Sequence, residues 1–251
     1  HRGTKRWRYY YMRLGNDPLF VVSSAYLMQS YTGDVAVLVF RGTEPTNVIN
    51  WLTDLTVKPE RFLEGDVHGG ILRNLKAIWP LLSMGLYLLD TRRNLMVMPT
   101  PKKEPHEADV VPLDKAIAED ESNGFYERAY GVKPPDGEKE PRPPMFEDPR
   151  QEVRPLKALY ITGHSLGGAM AALAMAKITK TPKWRDVRCK LRGCYTYGAP
   201  MVASPILARV LDETIGKNVY RHVYSKDVVP QLPPHSTGDF THFGQEYRCP
   251  S

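Results

Sequence analysis

The chain has 251 residues, of which 42% are hydrophobic and 25% are charged. These fractions are close to globular averages, so they exclude fibrous, collagen-like and wholly disordered proteins and predict one sizeable core. The formal net charge is +6, and no uninterrupted apolar run reaches the roughly 18 residues of a membrane-spanning helix.

The charge is distributed unevenly along the chain. Residues 99–155 hold 9 Lys/Arg and 14 Asp/Glu, whereas the rest of the chain holds 25 and 14. A basic body favours anionic surfaces, either membrane headgroups or nucleic acid. The opening His1–Tyr11 is basic and aromatic, which suits base stacking, but no nucleic-acid fold signature accompanies it. We therefore expect a packed or interfacial arm and no nucleic-acid partner. His1–Arg13 lacks the apolar region of a signal peptide, and the sequence assigns no compartment.

Strand signals come first along the chain and a helix signal follows them. Two β-branched runs, Phe20–Leu27 and Val35–Phe40, flank the turn-forming segment Tyr31–Asp34 and predict a β-hairpin. Because Val35–Phe40 is apolar at every position, we expect this strand to be buried on both faces. Apolar residues at helical spacing predict one helix over Leu72–Leu89.

The composition changes at residues 99–155, which hold 11 of the 22 prolines. So long a connection within a compact domain is usually functional or disordered. We interpret it as an insertion into a single domain of residues 1–251, either a lid, a partner-docking loop or a flexible segment. Its acidic charge beside a basic body favours a segment that folds back across a cleft.

Strands and helices alternate in the remainder of the chain. Leu156–Thr162 is a predicted strand and Ala169–Lys180 a predicted helix. Cys194–Tyr197 and Val219–Tyr224 are further predicted strands, with a helix at Ile206–Ile215 between them. This alternation predicts the α/β class, with a mostly parallel sheet flanked by helices.

The sharpest motif is Gly163-x-Ser165-x-Gly167, which lies between a predicted strand and a predicted helix. A serine hydroxyl is a weak nucleophile that needs a base and donors for the oxyanion. A tight turn between strand and helix exposes the hydroxyl in a cleft, and the small flanking residues permit that backbone. The alternative is that Ser165 is only the N-cap of the helix.

Six short segments, taken together, resemble the motifs of a known family. In chain order they are Val37-Leu-Val-Phe-Arg-Gly-Thr43, Asn50-Trp51, Val67-His-Gly-Gly70, Gly163-His-Ser-Leu-Gly-Gly168, Tyr195-Thr-Tyr-Gly-Ala-Pro200 and Asp227-Val-Val-Pro-Gln-Leu-Pro-Pro234. They resemble the class 3 lipases of the α/β-hydrolase superfamily, the group that includes the fungal triacylglycerol lipases. The resemblance covers roughly residues 20–90 and 156–248. It implies an α/β-hydrolase fold and a serine hydrolase without cofactor or metal.

The resemblance also implies roles for individual residues. Ser165 would be the nucleophile, and Thr43 and the backbone N–H of Leu166 would bind the oxyanion. Asn50 and Trp51 fall where the family carries a short helical lid, whose apolar face is suited to opening against lipid. The alternative for Asn50 and Trp51 is an ordinary amphipathic surface helix.

Asp227 is the candidate for the acid. It follows a predicted strand, at the edge where ligand sites of α/β sheets collect, and it matches the family position before Val-Pro-x-Leu-Pro-Pro. Asp227 would orient the catalytic histidine and stabilise its imidazolium. The alternative is an aspartate that only forms a turn.

The histidine is the weakest part of the predicted site. The superfamily order is serine, acid, histidine, and only His235 and His242 follow Asp227. His242 resembles a family histidine that is not the catalytic one. Either the catalytic histidine lies beyond Ser251, or His242 has been recruited as the base.

Two functions remain open from the sequence. The first is hydrolysis of lipid carboxylic esters, either acylglycerols or phospholipids, through an acyl-Ser165 intermediate at a membrane or lipid interface. The second is a catalytically silent, lipase-like scaffold that binds a partner or ligand. No protein partner can be named from the sequence.

Overall fold

The computed structural model describes residues 7–16, 21–30, 32–42, 58–90 and 154–250. The strands are β1 (Trp7–Asn16), β2 (Val21–Ser30), β3 (Val35–Phe40), β4 (Pro59–Phe62), β5 (Gly65–His68), β6 (Ala158–His164), β7 (Leu191–Tyr197), β8 (Val219–Tyr224) and β9 (Gln245–Cys249). The helices are α1 (Gly69–Asp90), α2 (Leu166–Lys180), α3 (Arg185–Arg188) and α4 (Pro205–Ile215), and short 3-10 turns occur at Pro182–Trp184, Gly216–Asn218, Val229–Gln231 and His235–Thr237.

In the described part of the chain, seven strands form one mixed sheet in the order β1-β2-β3-β6-β7-β8-β9. The first three strands are antiparallel, and β3, β6, β7, β8 and β9 are parallel. β4 and β5 form a separate hairpin. The mostly parallel sheet of an α/β protein is therefore confirmed.

The core lies between the sheet and the two long helices. α2 contacts β3, β6 and β7, while α1 contacts α2, β1 and β2. The strand side chains that face these helices are fully buried, as Leu38, Leu159 and Ile161 illustrate. Burial of this apolar surface is the main force that holds the helices on the sheet.

β3 is not buried on both faces, which corrects the sequence expectation. Ala36, Leu38 and Phe40 are buried, whereas Val35, Val37 and Val39 are half-buried. Successive side chains of a strand point to opposite faces, so one face of β3 is fully buried and the other, which carries Val35, Val37 and Val39, is only half-buried. The apolar run therefore predicted the strand correctly but not the cover on its second face.

Helix and hairpin predictions hold with shifted ends. The helix predicted at Leu72–Leu89 is α1, and Pro80 lies inside it, where its carbonyl accepts a hydrogen bond from Ser83 Oγ (2.9 Å).

None of the helices in the described ranges is both long and apolar enough to span a membrane.

Two strands of the sheet were not predicted. The N-terminal arm is β1, an edge strand paired with β2 over its whole length, and β9 pairs with β8 in parallel. Residues 99–153, most of the predicted insertion, lie outside the described residues.

Candidate functional site

Ser165 occupies a sharp turn between the end of β6 and the start of α2. Its backbone has φ 54° and ψ −129°, a left-handed conformation that costs a non-glycine residue roughly 1–3 kcal/mol. The turn is held by two backbone bonds, from Ser165 N–H to the Tyr197 carbonyl and from Gly168 N–H to the Ser165 carbonyl (both 2.8 Å). The strand, turn and helix required by the serine motif are therefore all present.

The glycines of the motif allow three backbone segments to approach each other. A Cβ on Gly163 would overlap the Gly167 carbonyl, and one on Gly167 would lie 2.5 Å from the Phe40 carbonyl oxygen. A Cβ on Gly42 would lie 2.5 Å from the His164 carbonyl oxygen. The chain leaving β3 therefore passes directly beside the Ser165 turn.

Ser165 is only 2% exposed, and its hydroxyl makes no hydrogen bond with any described residue. A buried hydroxyl without a partner is costly unless a ligand or another group serves it. The helix N-terminus next to it, beginning at Leu166, presents backbone N–H groups and a field that favours negative charge. This arrangement suits the stabilisation of an oxyanion that develops on a carbonyl oxygen attacked by the serine.

The other predicted oxyanion and lid residues cannot be placed. Thr43, Asn50 and Trp51 lie outside the described residues, which resume at Lys58. Gly42, the residue before Thr43, lies against the Ser165 turn.

Asp227 lies at the same edge of the sheet as Ser165. It follows β8, where its N–H donates to the Tyr224 carbonyl (2.9 Å), and its Oδ1 accepts the N–H of Val229 (3.0 Å). Its Oδ2 lies 2.5 Å from the point where Gly198 would carry a Cβ, and His164 Nε2 lies 3.8 Å from that point. The carboxylate thus reaches across the end of β7 toward the end of β6. Asp227 forms a turn, as the alternative interpretation required, but one oxygen is also directed toward the edge that carries Ser165.

Gly198 is a site residue to which the sequence assigned no role. Its φ is +54° and its N–H donates to the His222 carbonyl (2.9 Å). A side chain here would displace the Asp227 carboxylate. The only sequence signal was a glycine immediately after a strand, in Tyr195–Pro200.

His242 contacts the turn that follows Asp227. Its Nε2 is 2.7 Å from the Pro230 carbonyl oxygen. Burial, together with the positive charge of Arg221, lowers the pKa of His242 from 6.5 to about 4. The half-buried ring is therefore neutral at physiological pH, and one of its nitrogens is bound to a backbone carbonyl.

The remaining histidines are distributed over several elements. His235 has an 82% exposed side chain and an Nδ1 3.5 Å from Asp239 Oδ1. His222 stacks on Tyr197, with ring centroids 4.9 Å apart. Burial lowers the pKa of His68 to about 4. Across the described ranges, no three His, Cys, Asp or Glu residues are grouped as a metal site would require.

Comparison with known proteins gives related sequences and folds. A family model for class 3 lipases matches residues 148–237. A stretch of 88 residues is 42% identical to the triacylglycerol lipase OBL1 of Nicotiana tabacum, covering 34% of this chain and 15% of that protein. A stretch of 95 residues is 39% identical to a lipase of Rhizopus niveus, covering 38% of this chain and 23% of that protein.

Solved structures are similar over most of the chain. A Rhizomucor miehei lipase in complex with its propeptide has a TM-score of 0.54 at 22% identity, covering 94% of this chain and 55% of that one. A lipase from Rhizopus microsporus var. chinensis has a TM-score of 0.51 at 20% identity, covering 96% and 61%. The chain thus spans just over half of these solved proteins and a smaller part of the curated relatives.

Proposed function

We propose that this chain, whose residues 148–237 match the class 3 lipase family model and whose fold is similar to that of solved fungal lipases, hydrolyses carboxylic esters of lipids, with Ser165 as the nucleophile. The observation that carries the proposal is the Ser165 turn. A strained, buried serine, whose hydroxyl has no partner among the described residues, lies at the sheet edge that also carries Asp227. Structural strain of this kind persists at sites where it serves chemistry.

The proposed reaction proceeds in two steps. Ser165 Oγ attacks the ester carbonyl carbon while a base takes the hydroxyl proton. The resulting oxyanion is bound by the Leu166 N–H and by Thr43, and its collapse expels the alcohol, which receives that proton. Water, activated by the same base, then attacks acyl-Ser165 and releases the fatty acid. Asp227 orients the base and stabilises its charged form.

In this proposal His242 is not the base. An effective general base has a pKa near the working pH, whereas burial holds the pKa of His242 at about 4. Its Nε2 also contacts the Pro230 carbonyl oxygen, so that nitrogen is not available to Ser165.

Acylglycerols at a lipid–water interface are the proposed substrates. Relatives are named as a triacylglycerol lipase and as mono- and diacylglycerol lipases, and those names support an acylglycerol for this chain. The formal charge of +6 favours an interface that contains anionic lipid.

Labelling with a fluorophosphonate probe tests the proposal without choosing a substrate. We expect the full-length protein to be labelled, and Ser165→Ala to abolish labelling, because no other hydroxyl has this geometry in the described ranges. Asp227→Asn should lower kcat by about 10⁴-fold. Asp239→Asn, which changes a 75% exposed side chain, should leave kcat unchanged.

Two results would contradict the proposal. Labelling that persists in Ser165→Ala would assign the nucleophile to another residue. A folded, full-length protein that is not labelled at all would instead support the silent scaffold. Turnover of triolein emulsions, compared with soluble short-chain esters, then tests the lipid assignment.

A further inference from the structure

The position of Asp227 depends on the turn that follows it. The Asp227 Oδ1 accepts the N–H of Val229, and the turn continues with Gln231 N–H donating to the Val228 carbonyl and Leu232 N–H to the Val229 carbonyl (both 3.0 Å). If this turn shifted, the carboxylate would shift with it, because Asp227 and Val229 are joined directly.

The turn is held from outside by His242. The Pro230 carbonyl can only accept a hydrogen bond, so His242 carries its hydrogen on Nε2 and donates it over 2.7 Å. Pro230 is itself buried. In such an environment an unpaired carbonyl costs about 1–3 kcal/mol.

His242 is in turn fixed by its own neighbours in the chain. The N–H of Thr241 donates to the Ala203 carbonyl (2.7 Å), and the N–H of Gly244 donates to Asp212 Oδ1 (2.6 Å). Phe243 between them is 3% exposed. The donor therefore stands on a backbone that is bound on both sides, so it can hold the turn in place.

Burial, with a smaller contribution from the charge of Arg221, keeps His242 neutral. Arg221 of β8 lines the same small cavity as His242, and its positive charge adds to burial in lowering the pKa of His242. Glu246 of β9 acts in the opposite direction. Arg221 itself interacts with Glu246, Asp212 and Arg248. The sum of these effects is a pKa of His242 below its ordinary value. A neutral ring keeps one nitrogen unprotonated and retains Nε2–H as a fixed donor.

We propose that His242 is a positioning residue, which fixes Asp227 by donating its Nε2–H to the Pro230 carbonyl and so locking the Val229–Gln231 turn. The proposal rests on the proposed function for its catalytic consequence. It assigns His242 to the support of the acid, not to the transfer of the proton.

Three variants of His242 and two control variants of His235 test this role. His242→Gln places an amide N–H close to the position of Nε2, whereas His242→Leu and the shorter polar His242→Asn cannot reach Pro230. His235→Gln and His235→Leu repeat the changes at an exposed ring as matched controls.

The first measurement is amide hydrogen exchange of residues 227–232, which does not depend on activity. We expect exchange at Val229, Gln231 and Leu232 to become about tenfold faster in His242→Leu and His242→Asn, as for the loss of one hydrogen bond. It should stay within about threefold of wild type in His242→Gln and in both controls. Unchanged exchange in His242→Leu and His242→Asn would overturn the proposal.

The second measurement separates positioning from proton transfer. We expect kcat to fall about 10- to 100-fold in His242→Asn, with KM within about twofold, because small displacements of catalytic groups have effects of this size. His242→Gln should recover most of kcat. Equal loss of kcat in His242→Gln and His242→Asn, with the turn still protected, would identify His242 as the base and overturn the proposal. Failure of Ser165 labelling would instead refute the proposed function, while the exchange result would still decide whether His242 holds the turn.

Discussion

Ser165 and Gly198 make the same turn at the ends of adjacent strands. Both have φ +54°, and each donates its N–H to a carbonyl of the next strand: Ser165 to Tyr197, and Gly198 to His222. Glycine adopts this conformation at little cost, whereas serine does not. Of these two positions, strain is therefore present only at Ser165, the proposed nucleophile, although Leu63 and Ser225 elsewhere also have positive φ.

Gly198 is the residue at which the position of Asp227, the proposed acid, can be tested. In Gly198→Ala the new methyl would lie at a point 2.5 Å from Asp227 Oδ2, so the carboxylate must move. We expect kcat to fall about 10- to 100-fold, together with a loss of about 1–2 kcal/mol in the free energy of unfolding from the left-handed backbone. Steady-state kinetics and urea unfolding measure the two effects.

Gly33→Ala is the matched control for Gly198→Ala. Gly33 has φ 86° in the turn between β2 and β3, at the start of β3 rather than at its end. Its replacement should cost similar stability without changing kcat. A fall of kcat in both variants would mean that lost stability, and not displacement of Asp227, explains the effect.

At the scale of elements, α2 connects the site to the core. Its first turn carries the N–H groups beside Ser165, and small residues allow it to lie close to the sheet. A Cβ on Gly168 would be 2.8 Å from Ala199 Cβ and 3.3 Å from Thr196 Cβ. Most residues of α2 are buried, so the Ser165 turn is attached to a well-packed helix.

Leu173 in the middle of α2 tests this support. It is fully buried, and Leu173→Ala should lower the free energy of unfolding by about 2–5 kcal/mol, because a cavity remains. Ile206→Ala on α4 truncates an aliphatic side chain that is 70% exposed and should cost less than about 0.5 kcal/mol. Urea denaturation compares the two, and equal losses would contradict the packing of α2 described here.

The elements differ in how well the sequence predicts them. Periodic or continuous apolar runs predict helices α1 and α2 and strands β3 and β6. These elements are buried, so their side chains are mostly apolar and the sequence shows the pattern. β9 has no buried residue and exists through backbone pairing with β8. β1 is likewise an edge strand, paired along one side with β2. β9 thus carries little hydrophobic signal, whereas β1 is rich in the aromatic residues that favour strands, and only its pairing with β2 distinguishes it from the packed arm that the sequence predicted.

For the whole molecule, the buried His68 and the half-buried His242 make stability depend on pH. Burial lowers the pKa of both His68 and His242 from 6.5 to about 4. Between these values the unfolded chain binds protons that the folded chain does not, so the free energy of unfolding falls as the pH falls. The stabilisation is complete above pH 6.5 and is lost by about pH 4, with a contribution of about 3 kcal/mol per histidine.

Urea unfolding at several pH values between 7 and 4 measures this dependence. We expect His242→Gln to make the slope of stability against pH shallower, because this group no longer binds a proton on unfolding. His235→Gln makes the same change at an 82% exposed side chain and is the matched variant. An unchanged slope in His242→Gln would contradict the neutral state of His242 in the folded protein.

The sequence by itself determined what local contacts decide. Gly163, Ser165 and Gly167 lie within five residues of one another, so strand, strained turn and helix follow from that segment, and the resemblance to class 3 lipases follows from the order of such segments. Only the tertiary structure decided that Gly198 shapes the position of Asp227 and that His242 binds the Pro230 carbonyl. It also decided which face of β3 is covered. These features depend on residues that are distant in the chain and come into contact only when the strands pair in the sheet. A local sequence pattern cannot predict such contacts.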